Sequence, residues 1–308
     1  MPEGYKLTAL AVAATQLLYL VSGVLGPLGV MLNLLIPFPI CYVLLRCGPA
    51  FGAAVVALTA GLQLAMIGPE AVVTYLLQFG IAGLVLGLLL ARGGRWDRSV
   101  ALCSAVVLLV AGIVAFGYVS SSGGSFDEMI GTYLDAEAAA AMDLAKSGSL
   151  DPGQLADYQE IITGMIAFLK ETFVTWVAVI CCGMLLLQVA LLQSFSGGHY
   201  QIQGPRFTQW KAPEFLIWLL ILAGFGVFYL EGTGRQVALN ALLILLPVYF
   251  LQGMAVVSFF FLKKKVPPLF RTFGYVLLTM LNPFQMIVTG IGVFDLWIDF
   301  RKPRIKQE

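Results

Sequence analysis

Few residues in this chain of 308 could do chemistry, and they form no arrangement typical of an enzyme. The single histidine, His199, lies in the polar stretch SFSGGHYQIQGPRF, and no base stands beside a serine or cysteine nucleophile. No glycine-rich loop ends in Lys followed by Ser or Thr, so the chain does not hydrolyse ATP by that route. We therefore expect a protein that has no catalytic activity, cofactor or metal ion of its own.

Ionisable residues are also scarce within the apolar segments, where ion-coupled carriers generally place theirs. Glu70 lies at the edge of one apolar segment, and Asp295 lies near the C-terminal end of the last one. The remaining polar residues there are neutral amides. Such side chains either join helices, at about 0.6 kcal/mol each, or bind a solute. They are Gln16, Asn33, Gln63, Gln78, Gln188, Asn240, Gln252, Asn282 and Gln285.

Prolines interrupt two of the apolar segments. Pro37 and Pro39 stand one residue apart in the second segment, and Pro283 follows Asn282 in the last. Each proline removes a helix hydrogen bond, and unpaired backbone at membrane depth is tolerated only inside protein or beside a cavity. Interrupted helices in two distant parts of a sequence point to a binding site near the midplane, although a kink can also serve packing alone. The predicted ligand-binding residues are Asn33, Pro37, Pro39, Gln63, Gln78, Asn282 and Pro283.

The elements that must position these residues are membrane-spanning helices. Hydrophobic residues make up 59% of the chain and charged residues 11%, with a mean hydropathy of +0.90. That is more apolar surface than a soluble core needs. A span requires about 20 apolar residues. Eight candidate spans are present, at 7–26, 28–46, 49–68, 70–91, 99–119, 172–193, 214–230 and 237–262.

Positive charges in the loops predict the orientation of these spans. With the N-terminus in the cytoplasm, eleven lysines and arginines from Lys6 to Arg271 fall in inside segments. Only Lys146, Lys170 and Arg235 then fall outside. Because short cytoplasmic loops carry the excess of Lys and Arg, this count predicts a cytoplasmic N-terminus.

Residues 121–171 form an acidic segment on the predicted outer side, with nine acids against two lysines. Ser125 and Glu128 have the spacing of a capping box, and we expect the helix that follows to reach about Lys146. Asp151 as N-cap and Pro152 at the first helical position predict a second helix of some 40 residues, about 60 Å long, continuing into the next span. This hairpin is either a lid or docking element, or simply a solvated helical hairpin.

The last apolar stretch, 272–298, has basic residues at both ends. Its two arms of about 12 residues are each near 18 Å long and cannot both cross about 30 Å of hydrocarbon. We expect a re-entrant or short hairpin bent at Asn282–Pro283, with Asp295 beside Arg301. The alternative is one kinked traverse with a basic tail outside. The flanking basic residues are Lys263, Lys264, Lys265, Arg271, Arg301, Lys302, Arg304 and Lys306.

The sequence thus predicts an all-α fold, a polytopic helical membrane bundle of eight spans plus a C-terminal broken or re-entrant hairpin, with an extracytoplasmic helical hairpin. Three regions follow from this reading. They are an N-terminal five-span bundle at 1–120, the acidic hairpin at 121–171, and a C-terminal three-span bundle with the broken terminal hairpin at 172–308.

Three stretches, IPFPICYVLLRCGPAFG, WKAPEFLIW and GIGVFDLWIDFRK, resemble the YybS-like family of bacterial membrane proteins. That family is thought to be distantly similar to the substrate-capturing subunits of energy-coupling-factor importers, which bind a vitamin or metal-related solute and borrow an ATPase module. The resemblance implies that a small-residue patch on the first helix docks on a transmembrane coupler, and Ala9 and Ala13 match its spacing. Eight or nine spans instead of six, and the long acidic hairpin, depart from that pattern.

Two functions are consistent with these features. The first is a small-solute-binding or transport subunit of the bacterial inner membrane, without its own ATPase, whose partners are the lipid bilayer and a coupler with an ATPase module. The alternative is a non-catalytic scaffold for cell-envelope or division proteins. Neither reading involves nucleic acid.

Overall fold

A computed structural model of the chain describes residues 3–25, 29–148 and 151–302. Every regular element in these ranges is a helix, and seven helices, two of them broken, are long and apolar enough to cross a membrane. The predicted class, a polytopic helical membrane protein, is confirmed. The elements are α1 (Glu3–Val24), α2 (Val30–Asn33), α3 (Pro37–Cys47), α4 (Pro49–Met66), α5 (Pro69–Tyr75), a π-helical turn (Leu76–Gly80), α6 (Ile81–Ala91), α7 (Trp96–Ser122), α8 (Phe126–Ser147), α9 (Pro152–Ser194), a 3₁₀ turn (Phe207–Gln209), α10 (Leu216–Tyr229), α11 (Gly232–Lys263), α12 (Pro268–Met280) and α13 (Phe284–Ile298).

The candidate span at 214–230 is shorter in the structure than the sequence suggested. It is α10, an apolar helix of 14 residues, about 21 Å long and therefore short of the roughly 30 Å of hydrocarbon. The amides of Leu216, Ile217 and Trp218 bond to carbonyls three residues earlier, so α-helical bonding begins only at Leu216. The backbone before α10 is accordingly irregular.

The chain divides into two compact units. Unit 1 comprises Met1–Met129 and Ile180–Gly204, and unit 2 comprises Ile130–Val179 and Pro205–Glu308. The long helix α9 contributes its N-terminal part to unit 2 and its C-terminal part to unit 1.

In unit 1, glycines allow α6 to lie close against α3. A Cβ added at Gly83 would meet Ile40 at 3.0 Å, and one added at Gly87 would meet Leu44 at the same distance. Ile40 and Leu44 are both buried. The spacing of small residues at Gly83 and Gly87 therefore marks a real helix contact, as it does in other membrane helices.

The caps of the acidic hairpin form as predicted. The Ser125 amide donates to the Glu128 carboxylate at 2.8 Å, and the Glu128 amide donates to Ser125 Oγ at 3.1 Å. Asp151 and Gln154 make the same reciprocal pair at the start of α9. α9 is 43 residues long, about 64 Å. Residues 149–150, between the two predicted helices, lie outside the described residues.

The hairpin has a hydrophobic core of its own. Ile130 and Leu134 of α8 are buried against Ile162 and Ile166 of α9. The ammonium of Lys170 binds the Asp135 carboxylate at 2.8 Å across the two helices. α8 thus covers Ile162 and Ile166 of α9, whereas Tyr158 and Met165 of the same helix stay exposed.

In unit 2, α13 lies against α11 at two glycines. A Cβ at Gly253 would overlap the carbonyl oxygen of Val288, and one at Gly292 would overlap that of Tyr249. The contacts advance in opposite chain directions, so the two helices are antiparallel. The break predicted at Asn282–Pro283 is present, and α12 and α13 meet there at 98°. Arg304 and Lys306 of the basic tail lie outside the described residues.

Candidate functional site

The proline break in the second span keeps its backbone hydrogen bonds. In a regular helix, Pro37 and Pro39 would leave the carbonyls of Asn33 and Leu35 without donors. Here both carbonyls accept bonds from amides three residues further on, at 3.1 and 3.0 Å. The chain therefore passes the prolines through a short stretch of i→i+3 bonds between α2 and α3.

Gln188, on the unit 1 part of α9, binds directly to this break. Its side chain is fully buried, and its Nε2 donates to the carbonyl of Leu34 at 2.5 Å and to that of Met184 at 3.2 Å. The amide thereby satisfies backbone that the broken helix leaves available. This arrangement joins two helices, so packing accounts for the break at Leu34.

A second set of polar side chains lies inside unit 1, on α1, α4 and α5. Gln63 Nε2 donates to Gln16 Oε1 at 3.2 Å, and Gln16 Nε2 is 3.4 Å from the carbonyl oxygen of Thr59. The Tyr75 and Thr59 hydroxyls lie near each other but do not meet the geometry of a hydrogen bond. Thr59, Gln63 and Tyr75 are all buried. We call Gln16, Thr59, Gln63 and Tyr75 the intramembrane polar cluster.

Three oxygens of the intramembrane polar cluster have no hydrogen-bond partner among the described residues. They are Thr59 Oγ1, Gln63 Oε1 and Tyr75 Oη. A buried polar atom without a partner costs about 1–3 kcal/mol, and buried polar groups are normally paired. Three such atoms in one cluster therefore need an explanation beyond helix packing.

The backbone beside the cluster is also irregular. α5 ends at Tyr75, and the π-helical turn Leu76–Gly80 follows before α6 begins. Single π turns inside helices occur frequently at functional sites, because they re-aim side chains at the expense of regular hydrogen bonding. The π-helical turn thus begins directly after Tyr75, whose hydroxyl is one of the three unpartnered oxygens.

Unit 2 contains a buried ion pair. Arg301 pairs with Asp295, which is fully buried on α13. Gln252 of α11 donates through Nε2 to Asp295 Oδ2 at 3.2 Å and accepts through Oε1 from the Ala212 amide at 3.0 Å. The expected position of Asp295 beside Arg301 is confirmed.

This ion pair holds the irregular backbone before α10. Arg301 donates to the carbonyls of Thr208 and Trp210 at 3.0 and 2.9 Å. Nearby, burial raises the pKa of Asp299, but the hydrogen bond and charge of Lys211, together with Lys302, hold that pKa below its usual value. Nearly all charged groups and amides of this network have partners. We therefore assign the network a structural role.

A family model of predicted membrane proteins, DUF2232, matches residues 13–296. The chain belongs to the DUF2232 family. Comparisons with curated proteins and with solved structures returned no match. For the described part of this DUF2232 protein, no group of three or more His, Cys, Asp or Glu side chains could hold a metal ion.

The structure places the predicted ligand residues of this DUF2232 protein in different surroundings. Gln63 lies in the intramembrane polar cluster, whereas Gln78 of the same unit is exposed. Asn33 is half-buried at the proline break, with an unpartnered Oδ1. Asn282 and Pro283 are exposed residues of unit 2. The predicted docking residues Ala9 and Ala13 are exposed on α1.

Sequence reasoning missed two members of the cluster. Thr59 precedes Gln63 by four residues, and residues at that spacing share a helix face, so a search for paired polar positions could have found it. Tyr75 carries no comparable signal, because a tyrosine in an apolar segment is usually read as an interface anchor. Its burial depends on how α5 packs in unit 1.

Proposed function

We propose that this DUF2232 protein is a small-solute-binding or transport subunit without an ATPase of its own. It resides in the bacterial inner membrane with its N-terminus in the cytoplasm, and a partner coupler with an ATPase module supplies energy. The supporting observation is the intramembrane polar cluster, in which Thr59, Gln63 and Tyr75 bury three unpartnered oxygens.

The chemistry of the cluster suggests the class of solute. Gln63 offers a carbonyl acceptor, while the hydroxyls of Thr59 and Tyr75 can each donate or accept. None of the four side chains in the cluster carries a charge, so it would hold a neutral solute better than an ion. A small neutral molecule with both donors and acceptors would satisfy the three oxygens together.

The exposed face of α1 suits the coupler contact in this proposal. Ala9 and Ala13 lie on this face at the small-residue spacing that allows two helices to approach closely. Leu10 and Leu17 are exposed beside them. A transmembrane partner could therefore cover this face without any rearrangement of unit 1.

The proposal predicts different behaviour for two glutamine variants of the same chemistry. Gln63→Leu removes an acceptor from the cluster, whereas Gln78→Leu removes an exposed amide of the same unit. Native mass spectrometry after gentle extraction should show a bound small molecule on the wild type and on Gln78→Leu. Gln63→Leu should lose at least tenfold in occupancy, which is the effect of about 1.4 kcal/mol.

Gln63→Leu also breaks the bond to Gln16, so its helical content and thermal midpoint must be compared with those of the wild type. Equal occupancy in a folded Gln63→Leu variant would contradict the assignment of the site.

The scaffold remains a second candidate because the acidic hairpin is a folded element with its own core. Its two helices also form a groove of about 340 Å³ that contains the Asp135–Lys170 pair. This reading predicts that deleting residues 124–168 abolishes co-purification of envelope proteins while the spans still insert. Unchanged partners after the deletion would count against a scaffold.

A further inference from the structure

Helix α12 presents an apolar face that nothing in the described structure of unit 2 covers. Leu269, Phe273, Val276 and Met280 recur at spacings of four, three and four residues, and all are exposed. Residues at these spacings share one face of a helix. None of the 13 residues of α12 is buried.

The opposite face of α12 fixes it against the last two turns of α11. The Tyr275 hydroxyl donates to Ser258 Oγ at 2.9 Å, and a Cβ added at Gly274 would meet the Phe261 ring at 2.9 Å. The apolar face of α12 therefore points away from α11.

The position of α12 along α11 places it at a membrane surface. Arg235 and Lys263, charged residues near the two ends of α11, are 28 residues apart, about 42 Å. That length matches a bilayer including its headgroups, about 40–45 Å. Because α12 contacts α11 at Ser258 and Phe261, it lies at the level where α11 leaves the hydrocarbon.

The length and direction of α12 fit a helix that lies in this surface. Thirteen residues give about 20 Å, too short to cross the hydrocarbon. α12 meets α13 at 98°, and α13 runs antiparallel to the spanning helix α11. An exposed apolar stripe at the interface is how amphipathic helices bury themselves at the boundary between headgroups and acyl chains.

Four positively charged side chains lie at or just before the start of α12. Lys263 ends α11, Lys264 and Lys265 follow in the turn, and Arg271 lies in the first turn of α12. The three lysines are exposed. Clusters of lysine and arginine beside a span or on an amphipathic helix attract anionic lipids.

We propose that α12 is an in-plane membrane helix and that residues 263–271 bind the headgroups of anionic phospholipids. The apolar stripe enters the acyl chains while the lysines and Arg271 contact phosphate. This inference does not depend on the proposed solute site, which lies in unit 1.

The test uses the full-length protein in nanodiscs that contain phosphatidylglycerol and phosphatidylcholine in equal amounts. Native mass spectrometry counts the lipids retained after release. The wild type should keep phosphatidylglycerol preferentially. In the triple variant Lys263→Gln, Lys264→Gln, Lys265→Gln, the ratio of retained phosphatidylglycerol to phosphatidylcholine should fall roughly fivefold for each lysine removed. A fivefold change corresponds to the attraction of about 1 kcal/mol that each cation contributes.

A matched control removes the same charge elsewhere. Lys6, Arg92 and Arg98 are exposed in unit 1 and are not contiguous in the chain, so their replacement by Gln should reduce the preference less than the triple variant does. A second variant, Leu269→Gln with Phe273→Gln, changes only exposed side chains and should increase hydrogen exchange of the α12 amides in nanodiscs.

Equal retention of both lipids by the wild type would overturn the proposal, as would a triple variant that matches the control. A dimer that persists without lipid and is lost in Leu269→Gln with Phe273→Gln would also overturn it. That result would assign the apolar face to a second copy of the chain.

Discussion

Several buried side chains of unit 1 have an oxygen without a hydrogen-bond partner among the described residues. Gln188 donates through Nε2 to two backbone carbonyls, while its Oε1 has no partner among the described residues. Thr59, Gln63 and Tyr75 are equally buried but keep three unpartnered oxygens close together. Unpaired groups of this kind destabilise the empty protein, and they persist at sites where function requires them.

Removing one of these hydroxyls separates stability from binding. Tyr75→Phe deletes an unpartnered buried oxygen, so we expect the free energy of unfolding of the ligand-free protein to rise by about 1 kcal/mol. The same change should weaken solute retention about tenfold. Thermal unfolding in detergent and native mass spectrometry measure the two effects.

Tyr249→Phe is the matched control. Tyr249 Oη is also buried and unpartnered, but it belongs to α11 of unit 2. This variant should gain similar stability and leave solute retention unchanged. A loss of retention in both variants, or in neither, would show that the effect does not arise from the intramembrane polar cluster.

At the scale of elements, helix ends and breaks could be predicted from the sequence, and their partners could not. The reciprocal caps at Ser125 and Asp151 follow from local spacing, because each cap joins residues three positions apart. The breaks at Pro37 and at Pro283 follow equally from proline chemistry. That Gln188 would bind the carbonyl of Leu34 depends on a contact between residues 154 positions apart.

The glycine contact between α11 and α13 can be tested within a single helix. A methyl group at Gly292 would overlap the Tyr249 carbonyl, whereas nothing lies within 4 Å of a methyl group at Gly290. Gly292→Ala should therefore lower the free energy of unfolding by about 1–3 kcal/mol, the usual effect of overpacking. Gly290→Ala should raise it by up to about 1 kcal/mol through helix propensity.

Thermal unfolding of the two purified variants measures this difference. Equal midpoints would contradict the close approach of α11 and α13 at Gly292. Arg301 and Asp295, which hold the backbone before α10, depend on the same contact, so Gly292→Ala should also loosen residues 207–215 in hydrogen exchange.

At the scale of the whole molecule, apolar composition and segment length determined the class of the protein. Within the described residues, seven helices satisfy the length and hydropathy expected of spans, close to the eight that were predicted. The difference arises at α10, where residues 213–215 make i→i+3 bonds and the α-helix begins only at Leu216. The candidate site could be predicted only in part, since Gln63 was named and Tyr75 carried no signal.

A solute bound within unit 1 can be detected most directly by native mass spectrometry of the wild-type protein, extracted gently from its own membranes. We expect one neutral small molecule per chain, displaced in Tyr75→Phe and retained in Tyr249→Phe. An empty wild-type protein, recovered with envelope proteins instead of a coupler and an ATPase module, would contradict the proposed function.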